Sequence, residues 1–224
     1  MSLYTIFQSS LPRFVGAAVL ALSLTGVASA QVYSFNQFLS GGGGGQDPQK
    51  QRLTTSMGAY ICMGIGPGTD RNSVRFTIVS KIPQPNARIG AIAFDLGRHA
   101  GLLRSVAVTT ASPGVKASVA PAQTHPFLRG LTPEFWIGVD SKGHLKPDGL
   151  SPGRLLAISA TLGDGKTIDD VFKAFHEGLN PTTGANGLRV GVIVMYLLGG
   201  PPPGVGTIQD DGGFVATGPS DTCR

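Results

Sequence analysis

Two short motifs resemble catalytic loops, and each lacks something that its chemistry needs. Residues 149–153 read G-x-S-x-G, the pattern of a loop that presents a nucleophilic serine in hydrolases. That loop uses the backbone N–H after the serine to stabilise an oxyanion, and here the residue is Pro152, which has no N–H. Gly165-Lys166-Thr167 has the ending of a phosphate-binding loop, but Ala160 stands where its first glycine is needed. The sequence therefore favours a turn before a strand at residues 149–153 and argues against a phosphate-binding loop at residues 165–167.

Two sets of acidic residues are candidates for a metal or for catalysis. Asp210 and Asp211 precede two glycines, and calcium favours oxygen ligands from flexible loops. The ion needs six or more oxygens and the other donors are not identifiable, so we favour a polar β-turn there. Glu134 and Asp140 could act as the carboxylate pair of a glycosidase, which needs one buried acid with a raised pKa. We therefore assign no cofactor and no catalytic residue, and keep calcium as the alternative.

Trp136 is the only tryptophan, and alternation places it on one strand face with Glu134 and Asp140. An exposed ring would form a platform on which a sugar could stack, so these three residues are the candidate ligand platform. A covered ring would belong to the core, which its size favours. The histidines lie in separate segments, and none has a second histidine three or four residues away, so no helical metal pair is expected. They are His99, His125, His144 and His176.

The first thirty residues predict export. Residues 14–24 form an apolar or small-residue run, and Ala28-Ser29-Ala30 supplies the small side chains of a cleavage site. We expect a secretory signal at 1–30, a mature chain that begins with Gln31, and an extracellular or alternatively periplasmic location. Oxidising conditions there favour a disulfide between Cys62 and Cys223. Chain-entropy models credit a loop of that length with about 4–5 kcal/mol.

The composition favours a β-rich exported domain. Charged residues make up 14% of the chain, while glycine (33) and proline (16) are plentiful. The formal net charge is +5, but the basic residues are scattered instead of clustered beside aromatic residues, so we expect no nucleic-acid partner. No second apolar segment is long enough to cross a membrane. The expected partner is a protein or glycan at the cell surface.

Residues 31–52 are expected to form a flexible arm, because the five glycines at 41–45 cost too much backbone entropy to lie inside an element. The ordered domain is expected at 53–224. Apolar residues alternate there with polar ones, which predicts short strands and a mainly β, antiparallel sandwich or jelly roll. The predicted strands lie around residues 57–63, 74–78, 92–96, 106–108, 115–119, 135–139, 156–162 and 188–198. The last run is apolar on both faces, which indicates a central or covered strand.

One segment has helical periodicity. Ile168, Val171, Phe175 and Leu179 fall on one face, with Phe172 beside them. Thr167 is a suitable N-cap, and Gly178 with Pro181 predicts the end of the helix. We expect this helix to lie against the sheet and to bury Phe172 and Phe175.

The stretch 150–214 has an order of motifs that resembles a known family. Ser151-Pro152-Gly153 precedes a strand and the helix, and Gly187-Leu188-Arg189-Val190-Gly191 then leads into an apolar strand. The order resembles the extracellular domain of bacterial sorting-signal proteins of the PEP-CTERM and "choice-of-anchor" type. That resemblance implies a β-sandwich tied to the export of surface polysaccharide. It covers about a third of the chain, and the chain ends at Cys223-Arg224 without that family's anchor, so sorting by that route is not expected.

Three functions remain open. The preferred one is a non-enzymatic structural or binding domain outside the cell. The second is a carbohydrate-active enzyme or carbohydrate-binding module that uses Glu134, Asp140 or the Asp210-Asp211 pair. The third is a self-assembling subunit, in which the arm at 33–45 and the strand at 188–198 would exchange between copies.

Overall fold

A computed structural model describes residues 31–41, 57–83, 85, 87–139, 149–179, 184–198, 207–216, 218–219 and 223. The predicted signal at 1–30, the second half of the predicted arm, Asp140 and His144 lie outside these ranges. No helix formed by the described residues is long and apolar enough to cross a membrane.

The described residues form twelve strands and one α-helix. Two short 3-10 helices, Gly58–Tyr60 and Gly184–Asn186, precede β3 and β10. The helix, α1, is Ile168–Leu179 and lies between β9 and β10. The strands are β1 Gln31–Ser34, β2 Gln37–Gly41, β3 Ile61–Pro67, β4 Ser73–Ser80, β5 Ala87–Asp95, β6 Leu103–Ala111, β7 Ser118–Ala120, β8 Phe135–Gly138, β9 Leu155–Leu162, β10 Arg189–Leu198, β11 Thr207–Val215 and β12 Gly218–Pro219.

The strands form two antiparallel six-stranded sheets. The first sheet has the order β12-β1-β3-β4-β9-β6, and the second has the order β2-β11-β10-β5-β8-β7. The sheets pack face to face, since the rings of Phe76 on β4 and Phe94 on β5 meet edge to face with centroids 5.0 Å apart. The prediction of a mainly β fold with two packed antiparallel sheets and one short helix is therefore confirmed.

The alternation of apolar and polar residues correctly predicts which side chains of the strands form the core. In β4, the side chains of Val74, Phe76 and Ile78 are fully buried while Arg75 is exposed. In β10 the pattern is different because both faces are covered. Val192 belongs to the core between the sheets, whereas Ile193 belongs to a smaller cluster on the outer face of the second sheet. This strand lies between β11 and β5, which confirms its predicted central position.

The predicted flexible arm is wrong for residues 31–41, which form β1 and β2. β1 lies between β12 and β3 in the first sheet, and β2 pairs with β11 at the edge of the second sheet. Tyr33 and Phe35 are fully buried, so the apolar area that they remove from water stabilises the segment despite the glycines that follow. The ordered domain begins before residue 53.

The predicted turn at Asp210 and Asp211 is also wrong, because both residues lie within β11. β11 pairs with β10 on one side and β2 on the other, and its register to β10 shifts opposite Val194 to Tyr196. The hydrogen bonds of two neighbouring strands override the turn propensity of the glycines in this segment.

The predicted disulfide between Cys62 and Cys223 is present, with the two Cα atoms 5.5 Å apart. Cys62 lies on β3 directly opposite Ser34 of β1. Cys223 follows β12, which pairs with the other side of β1. The bond therefore ties the C-terminal end of the chain to the strand that flanks β1.

The helix has the predicted bounds and packs through a narrow stripe. Val171, Ala174 and Phe175 are buried, and Phe172 is partly buried against the core. The ring of Phe175 meets that of Tyr33 edge to face, with centroids 4.6 Å apart. The first strand thus contacts the helix directly.

The burial of Tyr33 predicts that substitutions of two tyrosines differ greatly in their effect on the free energy of unfolding. Tyr33→Ala removes a fully buried ring that supports both β1 and α1, and it should lower the free energy of unfolding by about 3–5 kcal/mol. Tyr60→Ala is the matched control, because that side chain is 37% exposed, and it should cost about 1 kcal/mol or less. Urea denaturation of the two variants checks this. Equal losses would contradict the assignment of β1 to the folded core.

Candidate functional site

A polar groove lies between α1 and the turn that joins β5 to β6. Its volume is about 340 Å³, within the range of roughly 300–1,000 Å³ that ligand sites occupy. Its basic side chains come from three segments of the chain, whereas its two carboxylates, those of Asp170 and Glu177, lie on one face of α1. The lining residues are Arg98, His99, Ala100, Leu102, Lys166, Asp170, Lys173 and Glu177.

Close backbone packing sets the position of the helix beside this turn. Gly178 of α1 approaches so closely that a Cβ would overlap the carbonyl oxygen of Leu188, and a Cβ on Gly187 would overlap the backbone of the helix. The amide of Leu188 donates to the carbonyl of Ala174 at 2.8 Å. The helix is therefore docked at its C-terminal end to the segment that leads into β10.

The opposite wall of the groove is fixed to the same segment. Gly97 has a φ of +56°, a conformation that L side chains rarely adopt, and a Cβ there would lie 2.7 Å from the carbonyl oxygen of Gly187. The amide of Arg98 donates to the carbonyl of Asn186 at 3.0 Å. Because both walls are attached to residues 186–188, their side chains face each other across a defined gap.

The N-terminal end of the groove is a reciprocal helix cap. The amide of Asp170 donates to the hydroxyl oxygen of Thr167 at 3.3 Å. The Asp170 carboxylate accepts from the Thr167 amide at 2.8 Å and from its hydroxyl at 3.0 Å. These bonds from Thr167, followed by the charges of Lys166 and Lys173, lower the pKa of Asp170 below its ordinary value. The carboxylate is therefore held ionised.

The C-terminal end of the groove is an ion-paired cluster around Glu177. The Glu177 carboxylate lies 2.9 Å from Nε2 of His99 and accepts from a guanidinium nitrogen of Arg98 at 3.0 Å. The hydrogen bond with His99 and then that with Arg98 lower the pKa of Glu177. The pKa values of both carboxylates of the groove are thus lowered by their hydrogen-bond partners.

The lysines are arranged differently from these acids. Lys173 lies between Asp170 and Glu177 on the same helix face, since the three are spaced by three and four residues. Lys166 precedes the helix by two residues and is exposed, as is Lys173. Neither ammonium group has a hydrogen-bond or ion-pair partner within the described ranges. Both are available to bind a group from solution.

The candidate ligand platform lies elsewhere, on the outer face of the second sheet. Trp136 is 4% exposed and packs with Leu128 and Leu131 of the connection between β7 and β8. The ring of His125 stacks over it, with centroids 6.1 Å apart, and burial lowers the pKa of His125. The tryptophan is a core residue, as its size favours, but the connection covers it and the helix does not.

Glu134 has a structural partner. Its carboxylate accepts from the amide of Leu96 at 2.7 Å, and its own amide donates to the carbonyl of Phe94 at 2.9 Å. These bonds attach the start of β8 to the end of β5. Asp140 lies outside the described residues, and of Asp210 and Asp211 only the backbone is described.

A buried ion pair between Asp95 and Arg189 was not predicted from the sequence. The Asp95 carboxylate, 3% exposed, accepts from a guanidinium nitrogen of Arg189 and from the amides of Gly97 (2.9 Å) and Thr132 (3.1 Å). The same nitrogen of Arg189 donates to the carbonyl of Gly130 at 2.5 Å. Asp95 and Arg189 lie directly opposite each other on β5 and β10. Predicting their ion pair from the sequence would have required knowing that these two strands pair.

Metal binding has no assembled candidate among these residues. No group of three histidine, cysteine, aspartate or glutamate side chains in the described part of the chain is arranged to hold an ion. His99 is paired with Glu177, and His176 is exposed on the helix, 6.4 Å from the ring of Tyr33 between centroids.

Comparison of the chain with protein-family models, curated proteins and solved structures returned no match. The resemblance to sorting-signal proteins therefore stays a prediction. The functional interpretation depends on the geometry of the groove and on the chemistry of its side chains.

Removing one partner of the buried ion pair should strongly destabilise the fold. Asp95→Asn leaves the Arg189 charge without its counter-ion and should lower the free energy of unfolding by about 3–5 kcal/mol. Asp164→Asn breaks the Arg104–Asp164 pair, in which both side chains are more than half exposed, and should cost about 1 kcal/mol or less. Thermal and urea unfolding measure both variants. A small effect of Asp95→Asn would show that the pair does not secure the second sheet.

The Glu177 cluster predicts a pH dependence. Since the pKa of Glu177 is lowered on folding, its contribution to stability is present above its unfolded pKa and is lost as the pH falls through the folded pKa. His99→Gln should raise the folded pKa toward the ordinary value. Carbon-13 NMR titration of the Glu177 carboxyl measures this, and His176→Gln is the control because His176 is outside the groove lining. An unchanged pKa in His99→Gln would contradict the assigned cause.

Proposed function

We propose that this protein is an exported, non-enzymatic binding domain that acts outside the cell and holds its ligand in the groove beside α1. The observation that carries the proposal is the different state of the groove's charged groups. Asp170 and Glu177 are held by neighbouring side chains, while the ammonium groups of Lys166 and Lys173 are not. A site of this kind offers a ligand fixed carboxylate acceptors together with ammonium groups that are free to bind it.

The electrostatics of the two carboxylates favour binding over hydrolysis. A glycosidase acid needs a raised pKa so that it can donate a proton near neutral pH. The pKa values of both Asp170 and Glu177 are lowered by their hydrogen-bond partners. Glu134, a candidate acid of the alternative enzymatic function, accepts a hydrogen bond from the amide of Leu96. These three carboxylates are suited to structural and binding roles.

Export is supported by the leader pattern together with one feature of the fold. The Cys62–Cys223 bond suits an oxidising compartment. N-terminal sequencing of protein recovered from the culture medium and periplasm tests this step, and recovery of intact residues 1–30 in the cytoplasm alone would contradict it.

Self-assembly by strand exchange has less support than binding. β1 and β2 contain most of the described part of the predicted arm, and both are paired within their own chain. Exchange between copies would first require the fully buried Tyr33 and Phe35 to leave the core. We therefore place the function in the groove, where no such cost arises.

A glycan array followed by product analysis tests the binding function. The protein should be retained on at least one class of extracellular oligosaccharide, and mass spectrometry should recover that oligosaccharide uncleaved after long incubation. Appearance of shorter products that Glu177→Gln abolishes would show an enzyme. Retention that survives Lys166→Gln with Lys173→Gln would place the ligand outside the groove.

A further inference from the structure

The groove lining alternates between groups that attract anions and groups that accept hydrogen bonds. Lys166, Lys173 and Arg98 supply positive charge, whereas Asp170 and Glu177 supply carboxylate oxygens. Arg98, Lys166 and Lys173 outnumber the two carboxylates by one formal charge. An isolated anion such as phosphate would gain little from the lysines, because the carboxylates beside them repel it.

A ligand that carries both an acidic group and hydroxyl groups matches this lining better. Its anion can bind the free ammonium groups, while its hydroxyls donate to the lone pairs of Asp170 and Glu177 that Thr167, Arg98 and His99 leave open. Sugars with a uronate carboxylate or a sulfate ester have this combination of groups. The volume of about 340 Å³ suits one or two sugar units.

The shape of the site also favours a chain over a single compact ion. Asp170 and Glu177 are seven residues apart on the helix, which separates them by roughly 10 Å along its axis. Lys173 lies between them and Lys166 lies beyond the N-terminal end, so donors and acceptors follow one another along the groove. The only apolar lining residues are Ala100 and Leu102, so this set offers no aromatic platform for the bases of a nucleic acid.

We propose that the groove recognises an acidic oligosaccharide, with Lys166 and Lys173 binding its carboxylate or sulfate and with Asp170 and Glu177 accepting hydrogen bonds from its hydroxyl groups. This inference rests on the proposed binding function and narrows its ligand class. The charged groups of the groove then discriminate acidic from neutral sugars, and the free lysines are the residues that determine specificity.

Isothermal titration calorimetry at low salt tests the inference with four probes. Trigalacturonate and a sulfated dextran oligosaccharide carry the two acidic groups. The fully methyl-esterified trigalacturonate and unmodified dextran are their neutral counterparts. The protein should bind at least one acidic probe and neither neutral one, and affinity should fall as salt is added. Binding of only one acidic probe identifies which acid the groove accepts.

Paired charge variants locate the interaction. Lys166→Gln with Lys173→Gln should weaken the binding of the acidic probe by roughly five- to tenfold, because two exposed ion pairs are lost. Arg75→Gln with Arg154→Gln removes the same charge from exposed positions outside the groove lining and should leave affinity within about twofold. Unchanged melting temperatures in both pairs verify folding.

Three results would overturn the inference. Equal affinity for trigalacturonate and its methyl ester would show that the acid group is not recognised, while the binding function itself would stand. Equal weakening by the lysine pair and the arginine pair would show attraction to net charge instead of to the groove. Failure to bind any of the four probes, together with retention of a different sugar on the glycan array, would contradict the acidic ligand and leave the binding function intact.

Discussion

The first described segment of the chain completes both sheets, and the other features of the fold depend on this constraint. β1 fills the position between β12 and β3, and β2 closes the far edge of the second sheet beside β11. Tyr33 and Phe35 bring two large aromatic side chains into the core. Tyr33 then packs against Phe175, so the helix that forms one wall of the groove rests on β1. β1 therefore stabilises the candidate site indirectly, because it packs against the helix that lines the site.

Two surface regions of this structure are used differently. The connection between β7 and β8 covers the outer face of the second sheet, where it buries Trp136 and is held by the Asp95–Arg189 pair. Gly191 and Gly213 allow this close packing, since a Cβ on either would meet Phe127, Leu128 or Leu131. The charges of this region serve the fold. The groove beside α1 instead leaves its lysines exposed to solvent, which is why we place the ligand there.

Local sequence patterns correctly predicted the strands and the helix in which the burial of each side chain follows from its position in the periodic pattern. The alternation in β4 and β9 and the helical spacing of Val171 and Phe175 report burial directly. Local patterns failed where distant pairing overrides propensity. The glycines at 41–45 and 212–213 indicated a flexible arm and a turn, yet the pairing of β2 with β11 places Gly41, Gly212 and Gly213 in strands. The spacing of Tyr33 and Phe35 was the available signal for β1.

The groove could not be read from the sequence because three distant segments build it. The turn at Gly97, the helix at Gly178 and the entry to β10 at Gly187 meet through close backbone contacts that no local pattern encodes. Thr167 was predicted as the N-cap of the helix, and the structure shows that its hydrogen-bond partner Asp170 also lines the groove. Glu177 was not predicted as a site residue, because its partners Arg98 and His99 are nearly eighty residues away in the sequence.

Amide hydrogen exchange of β1 tests the central claim most directly. Slow exchange requires an amide to be hydrogen-bonded in a unit that opens only rarely. If β1 is a paired strand of the first sheet, its hydrogen-bonded amides should be protected to the same degree as those of β4. Exchange of β1 at the rate of an unstructured peptide, while β4 stays protected, would contradict the account. The helix and the groove would then need another support.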